Sequence, residues 1–249
     1  MLYTIFRSAS ARHLLLEADS SHEGVSRLAN SDPSLDDRVY SYILDGLTSR
    51  RFFPGSRLNE EECASACGVS RSPVRAALLR LKEEGIVEIL PGRGAFVAHP
   101  TREEIQKVFD LRCELEAYVA GRAAGRFTKA DGRVLMKLVA TQTEEHSRQD
   151  RLAVLNVAFE FHMAVARIAD HPLAEKFLRQ MIIQCNLYQL FYDPFSHSPP
   201  MSVEEHAEIV RALEGRDPLV ASEAARRHAR SLFEHQLDLS HVRSSQQEV

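Results

Sequence analysis

Over most of the chain, apolar positions recur at intervals of three and four, the spacing that one face of an α-helix imposes. Leu35, Val39, Ile43 and Leu47 are spaced by four behind Ser34-Leu35-Asp36-Asp37, a helix-start signature, and predict a helix ending near residue 51, before the turn signal Phe53-Pro54-Gly55. Asn59-Glu60-Glu61-Glu62 starts a second helix with a cap and an acid three residues on, and this helix runs to about residue 67. A third helix follows to about residue 84. Val74, Ala77, Leu78 and Leu81 lie on one of its faces, with Arg71, Ser72 and Arg75 on another. Gly68 suits the sharp turn between these two helices, Ser70 is placed to cap the third with its hydroxyl, and Pro73 sits in the first turn, where its missing N–H costs nothing. The helical period then breaks. Ile86-Val87-Glu88-Ile89-Leu90, Pro91-Gly92-Arg93-Gly94 and Ala95-Phe96-Val97 read as strand, tight turn and strand.

Beyond His99-Pro100 the pattern is helical throughout. Thr101-Arg102-Glu103-Glu104 is a capping box, and Val108, Leu111, Leu115 and Val119 form the expected inner face of the helix it opens. Thr128 and Asp131 start the next, with Val134, Leu138 and Thr141 inward; a third covers about residues 151–169, and a fourth runs from Pro172 to before Asp193-Pro194. Ser202-Val203-Glu204-Glu205 caps a fifth, and Asp217-Pro218 opens a sixth that continues to about residue 239. The expected fold is therefore mainly α: an N-terminal winged helix-turn-helix over residues 34–99 and an antiparallel all-α bundle over residues 101–240. Residues 1–33 read as a mobile arm and residues 241–249 as a tail.

Charge sharpens the first unit. The whole chain carries a net charge of −4, and residues 34–99 hold nine bases against nine acids, yet residues 71–82 hold four bases and no acid. The positive field is local to the third helix, as expected of a recognition helix that enters the major groove by its N-terminal residues. Arg93, between two glycines at the hairpin tip, is placed to reach a phosphate or the minor groove. Cys63 and Cys67, four apart on one helix, read as small core hydrophobes, because no Cys-x-x-Cys pair or nearby histidine completes a zinc site. Such cysteine usage points to a reducing, cytoplasmic compartment. Leu14-Leu15-Leu16 is too short a run for a signal or a membrane span. Nucleophile-elbow, phosphate-loop and dinucleotide motifs are absent from the sequence.

In the second half, His162, His206 and His228 each share a helix face with small or apolar residues, so three imidazoles on three helices point toward the bundle interior. One such histidine reads as a satisfied core residue; three on separate helices are a candidate metal site, with coordination positions left open for water or a carboxylate.

Leu58-Asn59-Glu60, Gly68-Val69-Ser70-Arg71-Ser72-Pro73-Val74-Arg75-Ala76-Ala77-Leu78, Glu84-Gly85 and Pro91-Gly92-Arg93-Gly94-Ala95-Phe96-Val97 resemble the winged-helix domain of GntR-type bacterial transcription regulators. Leu111-Arg112-Cys113-Glu114-Leu115-Glu116, Phe161-His162, Glu205-His206-Ala207-Glu208-Ile209 and Ala224-Ala225-Arg226-Arg227-His228 are similar to the FCD-type effector domain of the FadR-like branch. The resemblance implies contact with double-stranded operator DNA by Ser70, Arg71, Ser72 and Arg75, assisted by Gly92, Arg93 and Gly94, and it implies a homodimer. It further implies a divalent metal of the zinc, nickel or manganese class on His162, His206 and His228, beside a pocket for a small organic acid. Relatives add an aspartate one turn before the first histidine, where this chain has Ala158; the metal is then held by three histidines plus water or effector, held weakly, or absent. Arg112 pairs with an effector carboxylate on one reading and with Glu116, four residues on, on another. The function implied is a ligand-responsive regulator with no catalytic residues. A metal-dependent hydrolytic enzyme built on the three histidines is the alternative, disfavoured by an arginine-lined helix that an enzyme does not need.

Overall fold

The computed structural model describes residues 33–192 and 200–244. The expected arm, but for Pro33, and the end of the expected tail, residues 245–249, lie outside the described residues. The chain divides between His99 and Pro100 into two compact units.

In the first unit, α1 (Leu35–Thr48), β1 (Arg57–Leu58), α2 (Glu60–Cys67), α3 (Arg71–Glu83), β2 (Val87–Leu90) and β3 (Gly94–Val97) follow in order. Helix α1 starts on Ser34, whose hydroxyl accepts from the Asp37 N–H at 3.2 Å. It buries Val39, Ile43 and Leu47, but Leu35 is 51 % exposed, so the apolar stripe begins a turn later than the spacing suggests. The helix stops at Thr48 instead of continuing to 51, because the chain folds back: the Phe52 N–H bonds to the Gly46 carbonyl at 2.9 Å and its ring lies where a Cβ on Gly46 would stand. Helix α2 is capped by Asn59, which accepts from the Glu61 N–H at 2.9 Å, and ends at Gly68, whose φ of 62° places it in the left-handed region glycine tolerates. Helix α3 packs through Val74, Ala77, Leu78 and Leu81. Ser70 has the extended backbone of a cap, but its hydroxyl makes no capping hydrogen bond, contrary to expectation. The sheet order is β1-β3-β2, all antiparallel; β1, two residues long, is too short to leave a period in the sequence.

The second unit contains α4 (Arg102–Ala124), α5 (Lys129–Ser147), α6 (Arg151–Ile168), α7 (Pro172–Tyr192), α8 (Pro200–Glu214) and α9 (Pro218–Ser244), with no strand among the described residues. Helices α4 and α5 begin in complete capping boxes, Thr101 with Glu104 and Thr128 with Asp131. Helix α4 is the axis, packed on α9, α7, α6 and α8. Its inner face is rotated from the one expected: Phe109, Arg112, Cys113, Glu116, Ala117, Ala120, Ala123 and Ala124 are buried, and of the four residues expected inward Val119 is buried, Val108 and Leu115 are half-buried and Leu111 is 49 % exposed. Helix α5 likewise turns Leu135, Leu138, Val139 and Gln142 inward, with Val134 and Thr141 only half-buried. Helix α8 starts at Pro200, so Ser202 is a buried residue within the helix and not its cap, and α9 passes residue 239 to reach Ser244. At the seam between α4 and α9 the Ser222 hydroxyl donates to the Ala117 carbonyl at 2.8 Å, and a Cβ on Gly121 would fall 2.4 Å from Ser222 Oγ, so the helices touch where Gly121 has no side chain. All four cysteines are free and buried; burial pushes the thiols of Cys63, Cys113 and Cys185 up to about 11, which keeps them protonated as core hydrophobes. No helix among the described residues is long and apolar enough to cross a membrane.

Candidate functional site

Two groups of residues carry chemistry, one in each unit. On the first unit, Ser70, Arg71, Ser72 and Arg75 are all exposed at the N-terminal end of α3, opposite the face that Val74, Ala77, Leu78 and Leu81 bury. The apolar side fixes the helix, so donors on the other side project from a rigid element. Arg75 Nε donates to Glu60 Oε2 at 2.9 Å and Arg71 Nη2 lies 3.2 Å from Glu61 Oε2. Both pairs face solvent, where such ion pairs add little to stability. Helix α3 is held at its far end by a half-buried network: Tyr40 donates to Glu84 Oε2 at 2.6 Å, and Arg80 pairs with Asp37 at 2.8 Å and stacks 4.0 Å over the Tyr40 ring. The hairpin tip is exposed, with positive φ at Gly92 (69°) and Gly94 (99°), and these place Arg93 at the outermost point of the turn. Arg57, on β1, was not anticipated; its guanidinium lies 3.8 Å from where a Cβ on Gly94 would stand, adding a second base beside the tip.

Inside the second unit, the three histidines meet. His162 on α6, His206 on α8 and His228 on α9 are each almost wholly buried, and one ring nitrogen from each lies within 4.8 Å of the others. Their outer nitrogens are all spoken for. His206 Nδ1 is 2.7 Å from Gln142 Oε1, His228 Nδ1 is 2.9 Å from Glu205 Oε2, and His162 Nδ1 is 3.4 Å from Glu116 Oε2. An acceptor at Nδ1 leaves the Nε2 lone pairs of His206 and His228 to face each other at 3.2 Å, while the Nε2 of His162 accepts from Arg112 Nη2 at 3.3 Å. Two lone pairs so close repel unless a cation or a proton lies between them, and nitrogens ~2.0–2.1 Å from a tetrahedral metal are separated by roughly 3.3 Å. The residues present fit a metal ion. Burial, reinforced by the other imidazoles and Arg112, holds the pKa of His162 well below its ordinary value, and burial does the same for His206, so both rings are neutral and can ligate.

Ala158 lines the same cavity and brings no ligand. Arg112 is there too, and the structure pairs it with Glu116. Its Nε donates to Glu116 at 2.6 Å, its Nη2 faces His162 Nε2 at 3.3 Å, and its Nη1 is buried with no partner. Asn186 Nδ2 is a second buried donor without a partner in this cavity. Orphaned buried donors are costly and mark a place for an acceptor. Glu116 was read from the sequence as a partner of Arg112 but not of His162, and the supporting roles of Gln142, Asn186 and Glu205 were not read; Glu205 adjoins a histidine, and Gln142 has no local signal at all.

The sequence profile of the FCD domain matches residues 107–231, and that of the gntR family of bacterial regulatory proteins matches residues 35–97. The chain belongs to the GntR family. This GntR regulator is 28 % identical over 215 residues to the HTH-type transcriptional repressor RspR of Escherichia coli, covering 82 % of this chain and 90 % of RspR. It is 29 % identical, over the same shares, to an HTH-type transcriptional regulator, YdfH, of another E. coli strain. Among solved structures, E. coli McbR/YncC superposes with a TM-score of 0.69 at 21 % identity (85 % of this chain, 99 % of that one), and a GntR regulator from a Rhodococcus with 0.64 at 24 % (82 % and 96 %), which shows the shared fold. The family and these relatives are transcriptional regulators, not enzymes, and the hydrolytic alternative has no support among them.

Proposed function

We propose that the winged unit docks α3 into the major groove of an operator, with Ser70, Arg71, Ser72 and Arg75 contacting DNA and Gly92, Arg93 and Gly94 carrying the wing to the backbone or minor groove. A homodimer in the cytoplasm places two such helices on successive half-sites. In the helical unit, His162, His206 and His228 hold a divalent metal of the zinc, nickel or manganese class, and Arg112 receives a small carboxylate metabolite whose binding changes operator affinity. When bound, the ion supplies a Lewis-acidic centre with positions open to an oxygen ligand. The observation that carries this reading is the convergence in one cavity of three imidazole nitrogens and a buried guanidinium with an unpartnered Nη1. A cation and a cationic side chain share so small a space best when an anion lies with them. The cavity, about 20 Å³, takes a water-sized group, so a metabolite enters by moving side chains, which is how binding is transmitted to the helices.

The test is native mass spectrometry with elemental analysis on protein purified without chelator, followed by the same on His206→Ala. Stoichiometric metal in a dimer, lost in the variant while DNA affinity persists, is expected. Absence of metal in the parent and in Ala158→Asp, which adds a carboxylate one turn before His162, would reduce the histidines to a core cluster.

A further inference from the structure

Helix α3 has no acid of its own between residues 71 and 82, so whatever restrains its arginines comes from elsewhere. For Arg75 it is Glu60, the first residue of α2, 15 positions back in sequence. The contact has a direction. Glu60 takes the Nε of the guanidinium, at 2.9 Å, and so leaves the Nη1–Nη2 edge of a side chain that is 65 % exposed unengaged by Glu60. That outer edge is the one a bidentate base contact uses, with two parallel N–H groups meeting the O6 and N7 acceptors of guanine. Glu60 is also the less exposed of the two acids that meet arginines here, 36 % against 78 % for Glu61, and its position at a capped helix N-terminus is favourable for a carboxylate. Glu62, one residue further, is occupied differently: it accepts from Asn59 Nδ2 at 3.2 Å and meets neither arginine.

From this geometry we infer that Glu60 is a specificity-determining positioning residue: bonded to Nε, it aims the Nη edge of Arg75 at a base and withholds Arg75 from phosphates. The inference rests on the reading of Arg75 as a base contact. An arginine freed of Glu60 swings on a flexible stem and settles on the nearest phosphate, a contact that every sequence offers. Glu60 therefore works against promiscuous binding while adding little to folding.

The experiment uses the full chain and two duplexes, one enriched by the wild-type protein from a random-sequence pool and one scrambled from it, each titrated across a salt series. Glu60→Ala is expected to lower affinity for the enriched duplex about tenfold, to hold or raise affinity for the scrambled one, and to steepen the salt dependence on the scrambled duplex by about one phosphate contact. Glu60→Gln, which keeps an acceptor of the same length, is expected to recover part of the enriched-to-scrambled ratio. Glu62→Gln, the same charge change without a tethered arginine, is expected to leave the ratio in place. A Glu62→Gln effect equal to that of Glu60→Ala would show general charge repulsion and overturn the inference, as would a ratio unmoved by Glu60→Ala when Arg75→Ala collapses it. A ratio unmoved by Arg75→Ala itself would remove the base-contact reading and the inference together.

Discussion

Arg75 with Glu60 and Arg112 with Glu116 are the same chemical pair, joined through Nε at 2.9 and 2.6 Å, in opposite surroundings. The first pair is 65 % and 36 % exposed; the second is 2 % and 3 % exposed. In water the attraction is screened and competes with hydration, so the pair aims a side chain without committing it. Away from water neither charge can be left alone, so the pair is obligatory and any donor it leaves over has to find an acceptor. The winged unit keeps Arg71 and Arg75 exposed at the start of α3. The helical unit confines Arg112 and leaves its Nη1 buried with no hydrogen-bond partner.

The sharpest way to break this contrast is to remove Arg112. Arg112→Ala strands Glu116 in the interior, and a loss of about 3–5 kcal/mol in denaturant unfolding is expected. Replacing both members, Arg112→Met with Glu116→Leu, should restore much of that stability while abolishing the response to carboxylate. An unfolding midpoint unmoved by Arg112→Ala would mean that water reaches the pair.

Acid should act on the helical unit in the same sense. Burial holds His162 and His206 below the ordinary histidine pKa of 6.5, so near and below that pH the unfolded chain binds protons that the folded one does not. Stability is therefore highest above pH 6.5 and falls as pH drops below it. Chelator-treated protein melted on either side of that pH tests this; a flat profile would mean that the rings already share protons in the native state. A smaller effect belongs to the network of Tyr40, Glu84, Arg80 and Asp37 in the winged unit. Tyr40→Phe takes a hydroxyl from Glu84, whose carboxyl burial already pushes above its usual range, and should cost about 1.5 kcal/mol in thermal unfolding.

The same division of surroundings explains what the sequence disclosed. The winged unit was legible because its apolar and polar residues segregate: Val74, Ala77, Leu78 and Leu81 inward, Arg71, Ser72 and Arg75 outward, glycines where φ is positive. Only β1 escaped, being two residues long. In α4 the inner face includes Arg112 and Glu116, and a reading that sends charge outward rotates the helix onto Leu111, which is half exposed. The histidines were found because three of them repeated one anomaly, an imidazole on an apolar face. Gln142, which orients His206 from 64 residues away, was not found, since a long-range hydrogen bond leaves no period behind.

The smallest expected effect on folding is the most informative about DNA. Arg75→Ala breaks only an exposed pair, so the melting of the winged unit should shift by no more than ~1 kcal/mol. Operator affinity should nonetheless fall by about 1–3 kcal/mol, with preference relaxed at one base position. Arg93→Ala, at the hairpin tip, should also spare folding, and it should weaken all duplexes alike and flatten the salt slope by about one unit. The two variants separate aiming from attraction on one surface: Arg75 is held through Nε by a carboxylate, whereas Arg93 sits at a hairpin tip with its guanidinium 5.7 Å from the centre of the Phe96 ring. Equal losses of sequence preference from both would place Arg93 in the minor groove reading a base step, and the wing would then share the selectivity assigned to α3.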